Sequence, residues 1–429
     1  MQISAIDGIN EQLIAWASVS NLFNMVMGEP ENEFTEQALK SALCGDESVR
    51  VRESYHMMER IWKNHPEWGL MPDYTLLSSF EHSGKYYQQY RDHLAHMFKV
   101  LLLGLYLYET SADISTAFQH KDVDSTSFAA IWSITTLYHD IGYVFDTLDK
   151  SIDGDTTQSA CKALAKIFCF PLHHLFPDLI DADYEEALQK KYHCYNRHTL
   201  AFAELINALR VFAGRGSSVG LSMEQTTTEN PILEYYTMLS YPNSTRNCFD
   251  HGISSAMILL FQRTLIHDYI SRVYNALCAA SNPMKAGPVL NKLKEGVTKL
   301  NQALPTMSKF TEEAAFALAV HNINQNHSDA FIRNLLARNV TIRQFRIPLS
   351  EEPFAYLLRI CDELQCWDRP QMSDPIRAEA YLQGTQVHLK NNDGHPVLSI
   401  DEAKEREKIV KALNNIIDPS IEMWLESFH

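Results

Sequence analysis

Several features are scarce in this 429-residue sequence, and each scarcity excludes a class of protein. Glycine and proline number only 16 each, and the chain shows no internal repeat or low-complexity linker. The eight cysteines form no CxxC pair or regular framework, which favours reduced thiols in the cytoplasm over a secreted disulfide scaffold. The longest apolar run, at 100–108, is far shorter than the roughly 20 residues that span a bilayer. The N-terminus lacks the basic and apolar regions of a signal peptide, so neither membrane insertion nor secretion is expected.

Positive charge is also scarce. The chain has 37 Lys and Arg against 53 Asp and Glu, a formal net charge of −16. Such a surface repels polyanions, so we expect no sequence-independent binding of nucleic acid. A local basic pocket for a small phosphorylated ligand remains compatible with this charge.

Helical periodicity dominates the chain and predicts an all-α fold. The predicted helices are 8–27, two within 33–65, 86–110, one capped by Ser125, Thr126 or Ser127 and running to about 140, 196–213, 251–280, 288–303, 311–323, 352–367 and 401–417. A short β-like stretch lies at 338–347, and 385–400 alternates around Asn-Asp-Gly, which predicts a small C-terminal β-hairpin.

The organisation predicted from these elements is one large helical domain with additions. Residues 1–85 form an N-terminal helical extension. The metal-binding helical domain follows at 86–375, with insertions at about 146–195 and 213–248. Residues 376–429 supply the hairpin and a final helix, packed on the same domain.

The most informative residues are a subset of the 18 histidines, together with two aspartates. Side chains spaced by 3, 4, 7 or 8 residues share one face of a helix, so phase with apolar neighbours predicts which of them face inward. The side chains predicted to face inward, on five separate segments, are His96, His139 with Asp140, His251, His321 and Asp362. His93 lies one turn from His96, and either could face the core.

A second His-Asp pair, His267–Asp268, tests this reasoning. His267 follows His251 by 16 residues on one predicted helix, which places the two about 160° apart around the axis. They cannot both face inward. Because His251 is in phase with Ile258 and Leu259, we predict that His251 is buried and His267 exposed.

The chemistry of the inward set points to metal binding. Imidazole and carboxylate ligands suit Fe, Mn or Zn rather than Ca²⁺. Six ligands are too many for one open catalytic ion, but they suit two ions that share Asp140 as a bridge.

The motifs that carry these residues resemble those of the HD superfamily of metal-dependent phosphohydrolases. The matching stretches are "HMFKV" (96–100), "HDIG" (139–142), "HGISSAMIL" (251–259) and "RICDEL" (359–364). The additional His251 and His321 resemble the binuclear, HD-GYP-like branch, and the chain is most similar to a bacterial HD group of uncertain substrate. The resemblance covers about residues 88–370. It implies an HD-domain helical bundle with two divalent ions, Fe or Mn, with Zn, Ni or Mg as alternatives.

The resemblance implies a phosphohydrolase or phosphodiesterase that acts on a nucleotide-like small molecule through a metal-activated hydroxide at the binuclear site, with Asp140 as a catalytic residue. His198 and His93 are the candidates for the general acid, and His198 is also an alternative to one of the later metal ligands. The candidate substrate-binding residues are Arg197, Lys99, Tyr143 and Arg369. Tyr143 stands where HD-GYP proteins carry Lys, and no Gly-Tyr-Pro follows His321, so specificity for cyclic dinucleotides is not carried over.

Two other functions use the same residues. The six-ligand arrangement also resembles diiron oxygenases of the HD type, such as myo-inositol oxygenase. Alternatively, the domain is a non-catalytic nucleotide-binding sensor, with the insertions and hairpin as surfaces for a protein partner. Assembly into a homo-oligomer is left open.

Overall fold

The computed structural model describes residues 5–28, 34–68, 71–72, 74, 93–143, 251–280, 288–321, 347–364, 378–383, 386–391 and 423–425. Within these ranges helices predominate, and the predicted all-α class is confirmed. Among the described residues, no helix combines the length and the apolar character that crossing a membrane requires.

The helices follow one another along the chain with short connections where the chain is described. They are α1 Ala5–Ala17, α2 Asn21–Met27, α3 Phe34–Cys44, α4 Glu47–Asn64, α5 His93–Thr110, α6 Ala112–Gln119, α7 Ser125–Tyr138, α8 His251–Ala280, α9 Pro288–His321 and α10 Pro353–Leu364, with a 3₁₀ turn at Pro66–Trp68.

Three short strands lie near the C-terminus. Strand β1 (Ala378–Gln383) pairs antiparallel with β2 (Gln386–Asn391), and β3 (Met423–Leu425) pairs parallel with β2. Residues 392–400 lie outside the described residues, so the hairpin around Asn-Asp-Gly stays a prediction. So do the helices at 196–213 and 401–417, the two insertions and the domain boundaries.

The single helix predicted over 8–27 is wrong, because the chain forms two helices there. The Ser20 hydroxyl accepts a hydrogen bond from the Phe23 N–H at 2.9 Å and caps α2. A serine can satisfy one of the unpaired N–H groups at a new helix start, and it therefore favours this break. Amphipathic periodicity continues across the break, which is why the pattern did not reveal it.

The separate helices predicted at 288–303 and 311–323 are in fact one, α9, which passes through Pro305. An internal proline removes one backbone hydrogen bond and costs about 3 kcal/mol. Leu304 and Met307, on either side of it, are both buried in the core. Their burial offsets the cost, so the helix continues to His321.

Helix α7 begins at Ser125, and its cap is Asp124 rather than one of the three predicted residues that follow. The Asp124 carboxylate accepts from the Ser127 N–H at 2.7 Å. Hydrogen bonds from the backbone and side chain of Ser127 hold the pKa of Asp124 below its usual value. Helix α6, capped by Ser111, is too short for its pattern to be recognised in the sequence.

The centre of the molecule is the crossing of α5 and α7, which are apolar on nearly all sides. Gly104 allows this crossing to be close, because a Cβ there would lie 2.0 Å from the Trp132 ring. The Trp132 indole N–H donates to the Leu101 carbonyl at 3.0 Å, which ties the two helices together. This contact fixes the separation of the two histidines that these helices carry towards the site.

The N-terminal helices are joined to α5 through a polar contact that is partly exposed to solvent. The Glu109 carboxylate accepts from the Trp16 indole N–H at 2.7 Å, the Ser20 hydroxyl at 2.7 Å and the Leu22 N–H at 3.2 Å. Residues of α1 to α4 belong to the same continuous hydrophobic cluster as α5 to α10.

Candidate metal centre

The six predicted ligands come together at one place, and the ends of three helices help to position them. His139 caps the C-terminus of α7 and Asp140 follows it in the turn. His251 is the first residue of α8, and His321 is the last of α9. The other two, His96 on α5 and Asp362 on α10, lie inside their helices.

Five of these side chains are buried, as their helical phase predicted. His139 and His321 are fully buried, and His96, Asp140 and His251 have at most 7% of their surface exposed. Asp362 is partly exposed, with 22% of its side chain accessible. His267 of the second His-Asp pair is exposed, which confirms the predicted difference between it and His251.

The first group consists of His96, His139, Asp140 and Asp362. His96 Nε2 lies 3.1 Å from His139 Nε2, 3.0 Å from Asp362 Oδ1 and 3.4 Å from Asp140 Oδ2. His139 Nε2 lies 3.4 Å from Asp140 Oδ1 and 3.9 Å from Asp362 Oδ1. Ligands bound at about 2.1 Å from one ion lie about 3.0 to 3.4 Å apart, depending on its geometry. Most of these separations therefore match those of atoms around a common ion.

The second group consists of Asp140, His251 and His321. Their ligand atoms all lie within 4.8 Å of one another, with His251 Nε2 at 3.8 Å from Asp140 Oδ1. Asp140 belongs to both groups, so its two oxygens can serve two ions. The described residues could thus hold more than one metal ion.

Two of the histidines are held in the tautomer that a metal ligand needs. His139 Nδ1 lies 2.8 Å from the Thr136 carbonyl, and His321 Nδ1 lies 2.6 Å from the Leu318 carbonyl. A carbonyl oxygen can only accept, so each Nδ1 carries the proton and each Nε2 keeps its lone pair. Both carbonyls come from the preceding turn of the same helix, so the helix end itself orients the imidazole.

Two buried polar atoms support the fit of a cation. Within the described part of the chain, neither His321 Nε2 nor Asp140 Oδ2 has a hydrogen-bond partner. Buried polar atoms are normally satisfied, and an unsatisfied one calls for a partner such as an ion. Both atoms are candidate ligand atoms.

The protonation states also suit a metal. Burial lowers the pKa of His139 to about 4, so its imidazole is neutral at neutral pH. Burial alone would raise the pKa of Asp140 and of Asp362, but the surrounding imidazoles outweigh it and lower both. Neutral imidazoles and ionised carboxylates are the forms that bind metal.

His93 and Tyr143 flank the second group. The Tyr143 ring stacks on His251 with centroids 3.9 Å apart and an interplanar angle of 14°. His93 is buried and its ring lies 4.7 Å from that of Tyr143. Both histidines at the start of α5, His93 and His96, therefore face the interior.

Of the four remaining predicted site residues, the structure describes one. Lys99 is buried on α5, one turn beyond His96. Arg197, His198 and Arg369 lie outside the described residues, so their predicted roles stay predictions.

Gly142 lies in the turn after α7, and its lack of a side chain matters more there than its backbone conformation. Gly28 is the only described glycine with a positive φ, so Gly142 does not adopt the left-handed backbone. Instead, a Cβ at Gly142 would lie 2.0 Å from the His251 carbonyl oxygen. The glycine lets the turn with Asp140 approach the start of α8.

Three further residues were missed because their role depends on neighbours distant in sequence. A Cβ at Gly252 would lie 2.6 Å from the Leu318 carbonyl and 2.9 Å from the His321 ring. Arg359, buried on α10, donates to the His321 carbonyl at 2.5 Å. The Ser255 hydroxyl forms hydrogen bonds with the backbone of His139 and Gly142, at the end of α7 and in the turn after it. The small residues in "HGISSA" were the one signal in the sequence that α8 packs closely here.

Comparison of this chain with protein-family models, curated proteins and solved structures gives no match.

Proposed function

We propose that the chain is a binuclear, HD-type metal-dependent hydrolase of phosphoester or phosphoanhydride bonds in a nucleotide-like small molecule. The observation that carries the proposal is the convergence of six imidazole and carboxylate side chains, with Asp140 common to both groups. Five helical segments supply them in the order of the HD motifs, which fits an HD-type helical bundle.

The metal centre and the substrate class rest on different grounds. The centre is supported by ligand distances, burial and the fixed tautomers of His139 and His321. The substrate class rests on the resemblance of "HMFKV", "HDIG" and "RICDEL" to the HD motifs. The net charge of −16 agrees with a small phosphorylated substrate rather than a nucleic acid.

The roles of the protein residues follow from their positions. Two divalent ions in such a centre, Fe or Mn in our proposal, supply water activation and neutralise charge on phosphoryl oxygens. Asp140 would be a ligand of both ions, and His139 beside it a ligand of the first. His93, at the flank of the second group, is a candidate to donate a proton to the leaving oxygen, and His198 is the alternative.

Metal analysis of purified variants tests the centre. We expect two ions per wild-type chain, none in Asp140→Ala and one in His321→Ala, because Asp140 serves both groups and His321 only one. His267→Ala is the matched control: it removes a histidine of the other His-Asp pair, which is exposed, and should keep both ions. If His321→Ala kept both ions while His198→Ala lost one, the ligand set would have to be replaced.

An anaerobic assay of the metal-loaded protein against a panel of nucleotides tests the reaction. Hydrolysis should release phosphate or nucleoside monophosphate at the same rate with and without dioxygen. Turnover only in the presence of dioxygen would contradict hydrolysis and favour the oxygenase. Full metal occupancy without turnover of any nucleotide would favour a sensor.

A further inference from the structure

The hydroxyl of Ser255 bridges two backbone groups of the turn that carries Asp140. It accepts a hydrogen bond from the Gly142 N–H at 2.8 Å and donates one to the His139 carbonyl, also at 2.8 Å. Ser255 lies in the first turns of α8 and is fully buried. One side chain thus links the end of α7 to the helix that begins with His251.

The end of α7 leaves these backbone groups available to Ser255. The Tyr143 N–H donates to the Asp140 carbonyl at 3.1 Å, rather than to that of His139 as a continuing α-helix would require. A buried carbonyl or N–H without a partner is destabilising. Ser255 satisfies one of each.

The same contact sets a distance within the metal centre. Ser255 is one helical turn from His251, and it holds the turn whose Asp140 Oδ1 lies 3.8 Å from His251 Nε2. Gly142 is pressed against α8 at this point, because a Cβ there would also meet Ser255 Oγ at 2.8 Å. The turn has little freedom to find another position while the two hydrogen bonds are made.

We propose that Ser255 is a positioning residue for the second metal ion, which it serves by fixing Asp140 relative to His251. The proposal rests on the metal centre proposed above, but it does not depend on the reaction being hydrolysis. Ser255 acts through the backbone of its neighbours and is not itself a ligand.

Titration of metal-free protein with Co²⁺, followed by the visible absorption of the bound ion, tests this role. Loss of a residue that orients metal ligands typically weakens metal binding about 10- to 100-fold. We therefore expect Ser255→Ala to lower by that factor the affinity for the second ion, the one at Asp140, His251 and His321. The first ion should be affected much less, because His96 and Asp362 come from α5 and α10. The absorption spectrum of the second ion should also change.

Ser133→Ala is the matched control. Ser133 is a fully buried serine on α7, and its hydroxyl has no hydrogen-bond partner among the described residues. Its removal should leave both affinities unchanged. Ser255→Cys keeps the size and a weak hydrogen-bonding group, so it should fall between wild type and Ser255→Ala, and it carries the test if the alanine variant does not fold.

Two results would overturn the proposal. One is a Ser255→Ala variant with wild-type affinities and an unchanged spectrum. The other is an equal loss in Ser133→Ala, which would indicate general loosening of the core. A wild-type protein that binds two ions but hydrolyses no nucleotide would refute the proposed reaction and leave the role of Ser255 intact. A wild type that binds no Co²⁺ would overturn both proposals.

Discussion

Asp140 is the residue on which both ligand groups depend, because its two oxygens face different histidines. Oδ2 lies 3.4 Å from His96, whereas Oδ1 lies 3.4 Å from His139 and 3.8 Å from His251. Burying a carboxylate is costly unless a cation or hydrogen-bond donors balance its charge. The negative charge of this one residue therefore favours a cation at this position.

Arg359 contacts the backbone of His321, and its replacement should destabilise the protein. Its guanidinium donates to the His321 carbonyl at the C-terminus of α9, and hydrogen bonds from charged groups contribute about 1.5 to 3 kcal/mol. We expect Arg359→Met to lower the free energy of unfolding by that amount, measured by urea denaturation in the presence of a chelator.

Arg52→Met is the control for this prediction. Arg52 is mostly exposed and pairs with Glu53, so its loss should cost less than about 1 kcal/mol. Equal effects of the two substitutions would show that the buried contact with His321 contributes little.

At the scale of elements, the centre is assembled where helix ends meet other helices at close range. The end of α7 presses on the start of α8 at Gly142, and the start of α8 presses on the end of α9 at Gly252. The last four backbone carbonyls of a helix have no partner within the helix. One of them in α7, that of Thr136, accepts from His139, and one in α9, that of Leu318, accepts from His321. Small residues at these crossings let the histidines reach common positions.

Gly252→Ala should separate the two ligand groups experimentally. The added methyl would lie 2.9 Å from the His321 ring and 2.6 Å from the Leu318 carbonyl that orients it. The end of α9 must then shift, so we expect the second ion to bind about 10- to 100-fold more weakly while the first is retained. Metal titration of the variant measures both.

Gly296→Ala provides the control on α9. Nothing lies within 4 Å of a Cβ at Gly296, so this alanine should stabilise the helix by about 0.5 to 1 kcal/mol and keep both ions. Loss of the first ion in Gly252→Ala would contradict the separation of the two groups.

At the scale of the whole molecule, the candidate metal centre lies among residues of the hydrophobic cluster that joins α1 to α10. Residues of α5 and α7 are buried almost throughout, and His96 and His139 belong to those same buried surfaces. Binding of metal and stability of the core should therefore be coupled.

Metal removal should lower the thermal stability of the protein. An ion at 100 times its Kd contributes about 2.7 kcal/mol to the folded state for each site. We expect the melting temperature with Mn²⁺ to exceed that with a chelator, measured by differential scanning calorimetry. Asp140→Ala should melt at the same temperature in both conditions. A wild-type melting temperature that does not respond to metal would contradict the coupling.

The sequence alone determined the all-α class and the burial of His96, His139, His251 and His321, because helical period and apolar neighbours are local properties. It also separated His251 from His267 by phase alone. It could not locate the break at Ser20 or the continuity of α9 through Pro305. Those depend on a cap and on burial that the periodic pattern does not contain.

Only the tertiary structure decided which atoms meet. It placed Asp140 between two groups of histidines and brought Tyr143 beside both His251 and His93. It also gave Gly142, Ser255 and Arg359 their contacts. The spacing of apolar residues along a helix indicates which of its faces is buried. The partner across a helix crossing depends on the packing of segments distant in sequence, such as Arg359 and His321, 38 residues apart, or Ser255 and His139, 116 residues apart. No local pattern encodes it.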